Sequence, residues 1–126
     1  MGKKPTQKSK EIKPVNAYIK IRKNAVLIEW KEKTFITSVE LLKKLTDGDL
    51  ITKAGTTAKS IKLGILEDTP DNDGTTQINN GGDTFLTKKN GSYYFSVDGE
   101  LLITSVFSVN QLLTGEWEYV KMGMFQ

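Results

Sequence analysis

Polar and apolar residues alternate over Tyr18-Ile19-Lys20-Ile21-Arg22, with Ile19 and Ile21 on one face and Lys20 and Arg22 on the other. A period of two marks a strand with one buried face. Lys23-Asn24 offers a turn, and Ala25 to Trp30 is an apolar run broken only by Glu29, which predicts a central strand. Lys31-Glu32-Lys33 predicts a second turn and Thr34 to Thr37 a third strand. At Ser38 the period changes. Leu41, Leu42 and Leu45 share one helical face, Ser38 suits an N-cap, and Lys43 and Lys44 favour the negative helix end. Asp47-Gly48 stops this helix, and Asp49 to Lys53 reads as a short strand.

The alternating Ile61, Leu63 and Ile65 predict a further strand. From Glu67 to Gly82 the chain is dense in Asp, Asn, Gly and Thr, which predicts an exposed, mobile loop. The earlier plan then returns. Strands are expected at Asp83–Thr87, Tyr93–Val97 and Glu100–Thr104, separated by Asn90-Gly91 and Asp98-Gly99. Ser108–Leu113 predicts a short helix, Gly115 breaks it, and Trp117–Lys121 predicts the last strand.

The return has a fixed spacing. Ile36-Thr37-Ser38-Val39 recurs as Ile103-Thr104-Ser105-Val106, 67 positions on. At that offset Val26-Leu27-Ile28 falls on Tyr93-Tyr94-Phe95, Leu45 on Leu112, and Gly48 on Gly115. Self-similarity of this kind is the first sign of a duplicated unit; two similar hairpins of separate origin are the alternative. The expected fold class is α+β, predominantly antiparallel β, as a β-β-β-α-β unit repeated with one short helix in each copy. The expected organisation is a flexible basic tail over residues 1–15 and one domain over 16–126. Within that domain, units 18–53 and 85–120 are joined by a linker over 54–84. Units this small cannot bury a core alone, so the two are expected to share one.

Composition narrows the chemistry. The chain has 126 residues and neither cysteine nor histidine. Zinc sites built on those ligands, cysteine nucleophiles and histidine-dependent triads are therefore excluded. No side chain has an ordinary pKa near neutrality, so acid–base catalysis would need a strongly shifted carboxylate or lysine. We expect no enzyme, no cofactor and no metal. Asp71-Asn72-Asp73-Gly74 has the start of a calcium loop without its closing glutamate, and reads as a linker turn. Glu67 with Asp68, and Asp98 with Glu100, read as solvated turn acids.

Charge identifies the candidate contact surface. Lys3, Lys4, Lys8, Lys10 and Lys13 stand against Glu11 alone, so the tail carries more positive charge than the whole chain's net of +3. Such a tail is a solubilising segment, or an arm for an acidic partner or nucleic acid. Trp30 and Trp117 join the five lysines as candidate contact residues. Tyr93, Tyr94 and Phe95 with the tryptophans would make a base-stacking platform if exposed; as sheet residues they belong to the core. No apolar run approaches the roughly 20 residues of a membrane helix, and no apolar segment of a secretory signal follows the basic start.

Asp98-Gly99, Ser108, Leu112-Leu113 and Glu116-Trp117-Glu118 resemble the closing signature of small phage proteins, D-G…S-x-x-D-L-L-A-x-D-W-E. Gln111 stands where that pattern has Asp, and Thr114 where it has Ala. The pattern is similar to that of the Thoeris anti-defence family, whose members bind a cyclic nucleotide-derived signal without hydrolysing it. It covers about 20 of the 126 residues, and no ligand residue carries over. The resemblance implies a phage or mobile-element origin, hence the host cytoplasm or the virion. The expected role is a non-catalytic accessory or structural protein working through protein–protein contacts, with a capsid or assembly component as partner and homo-oligomers open. Two alternatives stand beside it. One is an anti-defence protein sequestering a nucleotide signal in a pocket between the units, lined by Trp30 or Trp117. The other is a nucleic-acid-binding module using the tail.

Overall fold

The computed structural model describes residues 12–66 and 78–125, with the backbone alone for 78–81. In chain order the elements are β1 (Ile12–Arg22), β2 (Ala25–Trp30), β3 (Lys33–Ser38), α1 (Val39–Asp47) and β4 (Ser60–Leu66). Then follow β5 (Ile78–Lys89), β6 (Ser92–Val97), β7 (Glu100–Ser105), α2 (Val106–Leu113) and β8 (Val120–Phe125). Each strand pairs antiparallel with the next, and β8 pairs back onto β1, so the sheet closes into an eight-stranded barrel. Closure leaves no exposed sheet edge.

Period-two alternation turns one face of every strand inward. Ala17, Ile19, Val26, Ile28, Phe35, Leu63, Leu86, Tyr93, Phe95, Leu102 and Met122 are buried in a single cluster. At eight strands a barrel's interior is about wide enough for side chains to fill it. Phe35 and Phe95 meet edge to face at 5.2 Å, an aromatic contact between the two halves of the chain.

Successive strands alternate direction, so β3 and β7 finish at the same end of the barrel. Both helices therefore stand at that end. β3 pairs with β4 only over Thr34 to Ile36, and β7 with β8 only over Leu102 and Ile103. The strands part above those pairs, and the helices fill the openings. Leu42 and Leu45 of α1, and Val109 and Leu112 of α2, are buried there. At the opposite end Trp30 is buried, and the β2–β3 and β6–β7 turns are tied by Lys31–Glu100 at 2.9 Å and Lys33–Asp98 at 3.6 Å.

The hairpins keep one spacing. Arg22 pairs with Ala25 and Lys89 with Ser92; Ala25 pairs with Ser38 and Ser92 with Ser105; Trp30 pairs with Lys33 and Val97 with Glu100. Ser38 and Ser105 cap the helices with their hydroxyls. The amides of Val39 and Val106 donate to the carbonyls of Asn24 and Gly91, each at 2.8 Å. All of these correspond at 67 positions. The correspondence ends with the helices, because β4 and β8 do not.

Four boundaries differ from those expected. β1 starts at Ile12, so Lys13 and Pro14 lie in a strand and not in a tail; residues 1–11 lie outside the described residues. Proline is tolerated because the β1–β8 register shifts between Pro14 and Tyr18. Asp49–Lys53 is not a strand. It lies in a connection folded on itself by Thr52 and Thr56, with one bridge from Ile51 to Thr57. The fourth strand of the first half is instead β4, in the stretch expected to link the units. Ile78–Gly82 forms the start of β5 and not a loop, because ladder bonds to Leu66, Ile65 and Gly64 use backbone groups and need no apolar side chains. Residues 67–77, with Glu67, Asp68 and the Asp71–Gly74 turn, lie outside the described residues. Finally, α2 starts at Val106 and β8 at Val120, which leaves Trp117 in the connection between them.

Candidate functional site

The local chemistry of α2 sets the site. Val109 and Leu112 face the core. Phe107 is two residues before Val109, about 200° around the helix, and so points away from the core; it is 64% exposed. Gly115 takes a left-handed φ of 83° after the helix, and the Trp117 amide donates to the Gln111 carbonyl at 3.0 Å. This folds the connection back on the helix. Trp117 meets Phe107 edge to face at 6.0 Å. Two residues on, Tyr119 meets Tyr18 of β1 at 5.6 Å, and the Lys121 ammonium lies 5.9 Å from the Tyr18 ring.

The outcome is two edge-to-face aromatic pairs, Phe107 with Trp117 at the helical end and Tyr119 with Tyr18 on the wall of β1. Trp117 is 43% and Tyr119 54% exposed. Glu116 and Glu118 flank Trp117, both exposed and in no ion pair among the described residues. α1 carries Lys44 in its last turn, whereas α2 carries no basic residue there. The end of α2, its last carbonyls accepting the amides of Thr114, Gly115 and Trp117, thus has no basic side chain of its own beside two carboxylates.

The two candidate tryptophans are not brought together. Trp30 lies at the opposite end of the barrel from Trp117, buried, with the Lys31 ammonium 5.1 Å over its ring. Tyr93 and Phe95 are fully buried core residues, whereas Tyr94 between them turns outward and is half-buried, so the three rings share no face on which bases could stack. Inside the barrel the halves share a packed interior, and the cleft between them described below is lined by neither Trp30 nor Trp117. Lys13 pairs with Met124 in the β1–β8 ladder; Lys3, Lys4, Lys8 and Lys10 lie outside the described residues. Asp98 and Glu100 are the partners of Lys33 and Lys31. Phe107, Tyr119 and Tyr18 are not among the residues that the sequence singled out as candidates. The signal for Phe107 was its place off the Val109–Leu112 face; Tyr18 was legible as an outward strand residue.

A second feature lies beside α1. A cleft of about 610 Å³ runs between the end of α1, the Thr57–Lys59 stretch and the β5–β6 turn, and Lys59, Lys88 and Lys89 line it with Thr46, Asp47 and Asn90. At the helix, the Thr46 hydroxyl donates to the Leu42 carbonyl at 2.8 Å and accepts from the Tyr93 hydroxyl. Burial, and then the Asp47 charge, push the Tyr93 hydroxyl up to about 12, so it stays a donor at neutral pH.

No protein-family model, curated protein or solved structure matches this chain.

Proposed function

We propose that this chain is a non-catalytic contact-making protein of the phage accessory or structural type, and that Phe107, Trp117 and Tyr119 are its partner-facing surface. The observation that carries the reading is that Phe107, Trp117 and Tyr119 stay exposed to water near one another in the chain while the barrel buries the aromatic residues Trp30, Phe35, Tyr93 and Phe95. Large aromatic side chains are the commonest anchors of protein interfaces. A non-catalytic role accords with a sequence that lacks cysteine and histidine. The phage association rests on the C-terminal motif, and a capsid or assembly component is the corresponding partner. A photo-crosslinking residue placed at Trp117, and for comparison at the exposed Lys62 of β4, tests the surface in cells that make the chain. Discrete protein adducts from position 117, lost with Phe107→Ser, are expected. Equal adducts from both positions would overturn it.

One observation favours a nucleotide-sequestering role instead: the cleft with Lys59, Lys88 and Lys89. Asp47 and the negative end of α1 in the same cleft oppose an anion there. Calorimetry with cyclic and ADP-ribose-type nucleotides separates the two roles, and no heat is expected.

We also infer that the halves are copies of one β-β-β-α unit, with their fourth strands diverged. Matching hairpin registers, matching serine caps and the Asn24 and Gly91 carbonyl contacts support this. The tip ion pairs fit it too. Lys31 and Lys33 correspond to Asp98 and Glu100, and each pair joins the first position of one tip to the third of the other. Two identical units would set like charges against each other there.

A further inference from the structure

We propose that the aromatic and acidic patch at the end of α2 receives the lysine-rich N-terminal segment of a second copy of this chain, so that copies join end to end. This rests on the contact-surface reading above and names the partner of that surface.

Charge is the first argument. Glu116 and Glu118, beside a helix end that carries no basic side chain, put negative potential around Trp117, and Lys121 lies over the Tyr18 ring at the lower edge of the patch. Within the first ten residues Lys3, Lys4, Lys8 and Lys10 occur with no acidic residue. A lysine suits a patch of this composition. Its methylene stem lies on an aromatic ring while its ammonium reaches a carboxylate or the ring face.

Geometry gives the second argument, and it favours a second copy over the same chain. Ile12 pairs with Phe125 at the far end of β8, whereas Trp117 precedes Val120 at the near end. β1 therefore begins at the end of the barrel opposite the patch. Lys10 and Lys8 are two and four residues from Ile12, a reach of at most about 3.6 Å per residue. β1 alone runs eleven residues at about 3.3 Å each. Lys8 and Lys10 therefore fall short of Trp117 on their own barrel, where only Lys3 and Lys4, nine and eight residues from Ile12, have the length to reach it; a barrel stacked below would bring its patch within reach of all four. A surface at one end meeting a different surface at the other is a head-to-tail contact, which builds rings or open filaments.

Sedimentation velocity on the full chain over a concentration series tests this. Reversible association is expected, weakened roughly tenfold or more between low and about 0.5 M salt, because exposed charges are screened. The full-length variant K3E/K4E/K8E/K10E and the variant E116K/E118K should each lose self-association. Mixed together they should associate again, because each arm then meets a patch of opposite charge. Unchanged melting temperatures confirm that both are folded. A chain that stays monomeric throughout overturns the proposal, as does association indifferent to both reversals, or a mixture that fails to restore it. If Trp117→Ala abolishes association while the lysine reversal does not, the patch remains a contact surface and the arm is not its partner. If neither change has any effect, the self-contact falls, and the contact-surface reading falls with it only if the position-117 adducts are also absent.

Discussion

Two residues carry strain or burial that a single substitution can read. Lys31 and Glu32 close the β2–β3 turn with φ of 52° and 64°, both left-handed. This is the mirror-image turn that suits twisted hairpins, and it favours glycine. The corresponding turn of the second half has Gly99 where the first has Glu32, with φ of 78°. Glu32 makes no ion pair among the described residues. Glu32→Gly should therefore stabilise the protein by about 1 kcal/mol, the usual cost of a left-handed side-chain-bearing residue, read as a higher urea midpoint. Tyr93 is the buried case. Its hydroxyl ordinarily titrates at 10.0 and here at about 12. Below 10 folded and unfolded chains both hold the proton, and the contribution to stability is complete. Between 10 and 12 the unfolded chain ionises first, so stability falls with rising pH and the contribution is lost above the folded value. Tyr93→Phe should remove that part of the decline, seen by comparing urea midpoints of the two proteins from pH 9 upward. The turn at 31–33 was legible from its polar residues. The burial of Tyr93 was legible only as a strand position, because its partner Thr46 lies on a helix 47 residues away.

Among the elements, those with strong local signals were readable: the hairpins, the serine-capped α1 with Gly48 in a left-handed C-cap, and the alternation of β4. What escaped was pairing fixed by distant backbone. β1 begins at Ile12 because β8 is there to receive it, and the pattern around Pro14 does not show this. The seam is tight. A Cβ on Gly123 would lie 2.4 Å from Ile12 Cγ2 and 3.2 Å from the Lys13 carbonyl oxygen. Gly123→Ala must push Ile12 off the outer wall, at a cost of about 1–3 kcal/mol for overpacking. Ile12 is 47% exposed and has room to move, so shortening it should relieve most of the clash. In a double-mutant cycle, Ile12→Ala should then cost less in the Gly123→Ala background than in the wild type. Additive losses would mean that the two residues do not touch, and that β1 starts later than Ile12. The same tertiary control explains the aromatic patch: Trp117 was expected in a strand, and its exposure follows from β8 starting three residues later.

At the scale of the whole molecule, an up-and-down arrangement with β8 beside β1 was not in the sequence pattern. Hairpins give neighbours, whereas closure depends on the summed twist and stagger of all eight strands. Closure makes two seams comparable. The β4–β5 seam is bridged by the connection from Leu66 to Ile78, and the β8–β1 seam is where the chain begins and ends. Ile12 and Phe125 are ladder partners, so the start of β1 and the end of β8 lie side by side. Gln126 can then be joined to Met1, with residues 1–11 as the new connection, and the chain opened before Ile78. This circular permutant, running 78–126 and then 1–77, should fold to the same barrel, with cooperative unfolding and an unchanged near-ultraviolet spectrum from buried Tyr93 and Trp30. If the halves are copies, the exchange replaces one long-range seam by its counterpart. The mean sequence separation of contacts then changes little, and the refolding rate should stay within about tenfold of the natural chain. A permutant that folds to the same stability but orders of magnitude more slowly would show that the β1–β8 seam has no equivalent in β4–β5. One that does not fold at all would remove the adjacency of the start of β1 and the end of β8, and with it the closed barrel.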